Sequence, residues 1–220
     1  MTAPATTTTT TTAPPAPAAT TPRPATTTPP APVPEPEPAG GVDPARLPAS
    51  WREGCPVGSE DLELFAIDYL GFDGAVHTGE LVVHADVAAD VASVFRTLLD
   101  ARYPIERMEL VDVYGGSDDA STMANNTSAF NCRAITGGSR WSQHSYGRAI
   151  DINPVQNPYV YRDGHVLDPA AQRYTDRSLQ DPGMIHAGDV VVSAFAAIGW
   201  EWGGNYSSIK DYQHFSETGG

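Results

Sequence analysis

Residues 1–40 contain one sizeable aliphatic side chain, Val33, set among threonine runs such as TTTTTTT and proline-spaced stretches such as PVPEPEP. Twelve of the 20 prolines fall in this segment. With almost no apolar surface to bury, such a chain cannot offset the entropy of ordering. The expectation is a disordered Thr/Pro/Ala-rich tail over residues 1–41, partly polyproline II, ahead of one folded domain over residues 42–220. At about 3.1 Å per residue the tail would reach on the order of 120 Å if fully extended, enough for a tether, although an inert spacer would have the same composition.

The formal net charge is −14. Arg23 against Glu35 and Glu37 leaves one negative unit on the tail and −13 on the rest. A domain this acidic repels nucleic acid and anionic lipid, so neither is expected as a partner. No run of 18 apolar residues exists to span a membrane, and the N-terminus lacks the basic and apolar regions of a signal peptide. Export would then rely on something outside this chain or on a segment already removed. Cys55 and Cys132 are too far apart in sequence for a paired metal knuckle, and one disulfide between them, suited to an oxidising compartment, is favoured over two buried thiols.

Within the domain, Val76 to His84 alternates as a strand around Leu81, Val82 and Val83. A helix is expected next, capped by Asp86, with Val87, Val91, Val94, Phe95 and Leu98 on its core face, until Tyr103-Pro104 stops it. Met108 to Tyr114 alternates again as a strand, and SDDASTMANNTSAFN reads as a polar loop. Asp163-Gly164 signals a tight hairpin. A second helix is expected over about His186 to Ile198, ended by Gly199. Without a regular beta-alpha-beta repeat, these elements imply an α+β fold: a single domain with a central antiparallel sheet flanked by helices.

Chemistry concentrates in SQHSYGRAIDINP, residues 142–154. Gly147 separates His144 from Asp151, and the Ala-Ile-Asp-Ile that follows alternates, so the pattern is a turn leading into a strand whose aspartate points back toward the histidine. Hydrolytic zinc sites commonly take three protein ligands from His, Asp and Glu and leave one position for water. His214 in DYQHF is the natural third ligand, with Asp211 three residues earlier available as a proton acceptor. His77, His84, His165 and His186 lack such neighbours and are read as surface or packing residues.

SQHSYGRAID resembles the Ser-x-His-x-x-Gly-x-Ala-x-Asp pattern of the zinc D-alanyl-D-alanine carboxypeptidase family, which also includes L-alanyl-D-glutamate endopeptidases and shares its fold with hedgehog signalling domains. WEWGGNYSSIKDYQHF is similar to that family's Trp-x-Trp-Gly-Gly block with an acidic residue three places before the last histidine, and FNCR precedes the first motif. The likeness runs over about 101–216. It implies one Zn2+ held by His144, Asp151 and His214, with Asp211 as base where much of the family has Glu, and Glu201 in reserve. It further implies that Arg133 meets substrate, either clamping a carboxylate or stabilising an oxyanion. Ser142 either bonds substrate or shapes the turn. Trp200 and Trp202 are read as core and cleft wall, and Tyr146 and Tyr206 stay unassigned.

The implied activity is metal-activated hydrolysis in peptidoglycan stem peptides, outside the cell or at the wall, by a monomer. Whether it is carboxypeptidase or endopeptidase is left open by the motifs. The competing reading is a zinc-stabilised binding module of the same fold that does no hydrolysis. Such a module would have no need of Asp211 or Arg133.

Overall fold

In the computed structural model, which describes residues 41–135 and 138–219, the first strands are two of nine residues each, β1 (Leu62–Leu70) and β2 (Val76–His84). They pair antiparallel from Leu62 opposite His84 to Leu70 opposite Val76. Gly74 takes φ +80° in the connecting turn, which a hydrogen bond from Gly71 N to Ala75 O closes at 2.8 Å. The tail expected over residues 1–41 lies, but for Gly41, outside the described residues.

Alternate residues of β1, Phe65, Ile67 and Tyr69, are buried in one core with the apolar stripe of α1 (Ala88–Asp100). Val91, Val94, Phe95 and Leu98 form that stripe as their spacing requires. Asp86 is not its cap. The helix is entered through a 3-10 turn, Ala85–Val87, started by His84, while the Asp86 carboxylate accepts from Arg148 Nη2 at 2.6 Å. At the other end the chain turns at Arg102, φ +58°, and Tyr103 N donates to Leu98 O at 2.9 Å.

The strand expected from Met108 to Tyr114 is cut short. Its strand part is β3 (Arg107–Met108), and Val111–Tyr114 forms a 3-10 turn that ends at Gly115, φ +65°. The reason is Asp112, whose carboxylate accepts from Ala49 N, Ser50 N and Ser50 Oγ at 2.7, 2.9 and 2.6 Å and ties the segment to residues 49–50. Inside the expected polar loop lies a short helix, α2 (Asp118–Met123), capped by Ser117 Oγ, which accepts from Ala120 N. It leads into β4 (Asn126–Thr127), which runs parallel to β3.

The remaining strands are short. β5 (Ala149–Asp151), β9 (His214–Ser216) and β7 (Glu201–Trp202) make an antiparallel sheet in that order. β6 (Tyr159–Val160) pairs antiparallel with β8 (Lys210–Asp211). The turn expected at Asp163-Gly164 forms, closed by Tyr161 N donating to His165 O at 3.0 Å. α3 (Val190–Ala197) begins later than expected because Asp189 caps it, its carboxylate accepting from Val192 N and His186 N. Gly199, φ +82°, follows its end as expected.

The class is α+β with mainly antiparallel pairing, although the strands are shared among four small sheets. Phe195 of α3 stacks on Phe215 of β9 with centroids 4.1 Å apart, joining the helices to the sheet that carries His214. A second apolar cluster gathers Val42, Leu47, Leu62, Val82 and Phe130 around Cys132, which is disulfide-bonded to Cys55. No helix among the described residues is long and apolar enough to cross a membrane.

Candidate active site

The turn that carries His144 is fixed from both ends. Ser142 Oγ accepts from His144 N at 3.3 Å and starts the 3-10 helix Gln143–Tyr146, and Ser142 also lines the cleft. Gly147 ends it at φ +66°, where a Cβ would stand 2.4 Å from the backbone nitrogen of His84. β5 follows at once, and the antiparallel register sets Asp151 directly opposite His214 on β9. Cross-strand partners lie side by side, so two residues 63 positions apart share one spot because two strands pair there.

The three side chains converge. His144 Nε2 lies 3.2 Å from Asp151 Oδ2 and 3.3 Å from His214 Nδ1, and His214 Nδ1 lies 2.9 Å from Asp151 Oδ1. All three residues are buried. His144 Nδ1 is 2.6 Å from the Ala129 carbonyl, which can only accept, so the proton sits on Nδ1 and the Nε2 lone pair of the neutral ring faces inward. Gln213 Nε2 donates to Asp151 Oδ2 at 3.1 Å and fixes the carboxylate.

Electrostatics favour a cation here. Burial pushes the Asp151 carboxyl up, yet the His144 and His214 rings hold it well below the usual carboxylate range. Burial pushes the His144 ring down, and the Asp151 carboxylate outweighs that and leaves its pKa raised. A buried carboxylate with two imidazoles pointing at it requires positive charge among them, from a proton or a metal ion. Two nitrogens and a carboxylate oxygen suit zinc, and the ligand atoms all lie within 4.8 Å of one another.

Asp211 lines the same cleft as these three residues. Its Oδ1 is buried and has no hydrogen-bond partner among the described residues, and burial pushes its carboxyl up to about 7 against the pull of His214. The glycine-rich stretch before it has a steric role: a Cβ on Gly203 would meet the Asp211 backbone oxygen at 2.5 Å. Trp202 is buried and its Nε1 donates to Tyr212 O at 2.8 Å, so the Trp-Gly-Gly block supports the strand that presents Asp211. Glu201, in the same strand as Trp202, is exposed and does not line the cleft.

Arg133 reaches the cleft through a companion that the sequence did not reveal. Its Nε lies 2.9 Å from Asp118 Oδ1 at the start of α2, as a charge contact, because the N–H is not aimed at that oxygen. Burial pushes the Asp118 carboxyl up, opposed by Arg133. Asp118 and Gln213 are the residues that motif reading missed. The only sequence signal for Asp118 was an Asp pair after Ser117, which suits any helix start. His77 and His84 pair locally with Asp73 and Asp86, and His165 stacks on Tyr161; neither they nor His186 line the cleft.

The cleft has a volume of about 990 Å³, with Trp141, Tyr146, Tyr159 and Tyr206 among its walls. That is at the upper end of the roughly 300–1,000 Å³ usual for ligand sites. Neither the curated proteins nor the solved structures compared with the chain gave a match. A family model described as D-alanyl-D-alanine carboxypeptidase matches residues 136–217, which begins after Arg133 and takes in His144, Asp151, Asp211 and His214. Over residues 136–217, which carry His144, Asp151, Asp211 and His214, the chain is similar to that family.

Proposed function

We propose that the protein is a zinc-dependent peptidase that hydrolyses peptide bonds in the stem peptides of bacterial cell-wall peptidoglycan. The observation that carries this reading is the buried convergence of His144, Asp151 and His214 beside Asp211 in one open cleft, within the family-matched segment. A zinc ion held by the three residues would supply Lewis acidity and make water nucleophilic near neutral pH.

The remaining roles fall to the chain's own groups. The Ala129 carbonyl keeps the His144 proton on Nδ1 and the Nε2 lone pair toward the metal position. The Asp211 carboxylate, which lines the cleft beside the three ligands, takes the proton of the attacking water and returns it to the leaving amine. Arg133 offers guanidinium donors to a substrate oxygen. The disulfide between Cys55 and Cys132 supports an extracellular setting.

The test is metal analysis beside hydrolysis of a stem peptide. His144→Ala, Asp151→Ala or His214→Ala should lose zinc and activity together. Asp211→Asn should keep zinc while turnover falls ~100-fold or more, the scale of general acid–base catalysis, and Glu201→Gln should change little. An active Asp211→Asn beside an inactive Glu201→Gln would move the base to Glu201. A wild-type protein that binds zinc yet cleaves no stem peptide would replace the peptidase with a binding module.

A further inference from the structure

The guanidinium of Arg133 does not meet the cleft as a free positive charge. Asp118 Oδ1 lies 2.9 Å from Nε, and Nη1 donates to the Ala134 carbonyl at 3.2 Å. Asp118 also lines the cleft. The described residues lining the cleft include five aspartates against two arginines and no lysine or glutamate. A substrate carboxylate approaching Arg133 therefore meets an anion already paired with it.

We propose that Asp118 is a specificity-determining residue that occupies Arg133 against free carboxylates, so that the cleft selects peptides presenting a neutral amide at that point. The inference rests on the peptidase reading and names its substrate class: bonds inside a peptide, whose chain continues past the cleaved position. A carboxylate-ended substrate would have to displace Asp118 from Arg133 or sit beside it, and like charges placed together in a partly desolvated site are strongly disfavoured. An amide carbonyl can accept from the guanidinium's remaining donors without displacing anything. The size of the cleft agrees, since a peptide running through it needs more room than a terminal residue.

The test compares one stem peptide ending in a free D-alanine carboxylate with the same peptide amidated at that end, in the zinc-loaded full chain. Wild type should favour the amidated peptide by about tenfold or more in kcat/KM, carried mainly by KM. Asp118→Asn keeps the size, removes the charge, and should abolish or invert that ratio. A merely structural role would alter both peptides alike and leave the ratio in place, which overturns the proposal, as does a wild-type preference for the free carboxylate. Binding of N-acetyl-D-alanine and N-acetyl-D-alaninamide to the metal-free protein, followed by NMR, gives a readout without turnover. The acid should gain at least about fivefold relative to the amide in Asp118→Asn, and an unchanged ratio counts against Asp118. If Asp118→Asn does not fold, Asp118→Ser is measured in the same way. A protein that cleaves neither peptide but shows the binding shift would refute the peptidase while leaving the role of Asp118 intact.

Discussion

At the scale of single residues, the site consists of polar groups placed where they are costly. Asp211 is the clearest case, with a buried oxygen that has no hydrogen-bond partner among the described residues and a carboxyl raised to about 7 by burial. An unfolded aspartate titrates near 4, so between about pH 4 and 7 the folded metal-free protein binds more protons at this position than the unfolded chain. Stability must then fall as pH rises through that window. In chelator, Asp211→Asn should remove this part of the decline, so the melting temperatures of variant and wild type should diverge as pH rises, with the variant higher. Parallel profiles would show that Asp211 is not desolvated. The opposite sign belongs to Asp151, whose depressed carboxyl adds stability above about pH 4 that is lost as pH falls further.

Elements two or three residues long do the positioning, and glycines determine whether they can approach. At Gly147 the left-handed φ alone would cost any other residue about 1–2 kcal/mol. A Cβ there would also press on the His84 backbone, whose N–H donates to the Gly147 carbonyl at 3.0 Å. Gly147→Ala should therefore lower unfolding free energy by more than about 2 kcal/mol. It should also reduce zinc content, because the turn it distorts carries His144. Denaturant melts with metal analysis check both, and unchanged stability would mean that the turn relaxes freely. Of the long elements, α1 shows the expected stripe and β2 forms where expected, although Leu81, Val82 and Val83 are all buried instead of alternating, while the equally long β1 was not read from the sequence. β3 to β9 are too short to show any period, so their pairing follows from partners distant in the chain.

For the whole molecule, the disulfide between Cys55 and Cys132 closes a loop of 77 residues and joins the second apolar cluster to the segment bearing Arg133. In the chain-entropy picture a loop of this length contributes up to about 4 kcal/mol. Replacing both cysteines with serine should lower stability by up to that amount in urea unfolding, and alkylation of the native protein without reductant should find no free thiol. Modification of both cysteines would refute the link. Loss of the bond should also loosen the tie between Cys132 N and Ser50 O at 2.9 Å, next to Arg133.

Local patterns determined a good part of this protein. Ten residues, Ser142 to Asp151, contain a cap, a ligand, a glycine stop and a second ligand, and such chemistry is legible because all its parts are close in sequence. The same holds for α1, whose face follows from helical spacing. What only the tertiary structure decided was which distant groups meet. Asp151 and His214 are opposite because β5 and β9 pair in one register, and a slip of one residue would turn their side chains to opposite faces. Asp118 faces Arg133 because α2 interrupts what composition reads as loop. Glu201 and Asp211 are both acidic candidates in sequence, and pairing in two different sheets leaves Glu201 of β7 exposed while Asp211 of β8 lines the cleft. Spacing carries only the geometry of a continuous chain, whereas a site built from several strands is set by long-range pairing that no short stretch encodes.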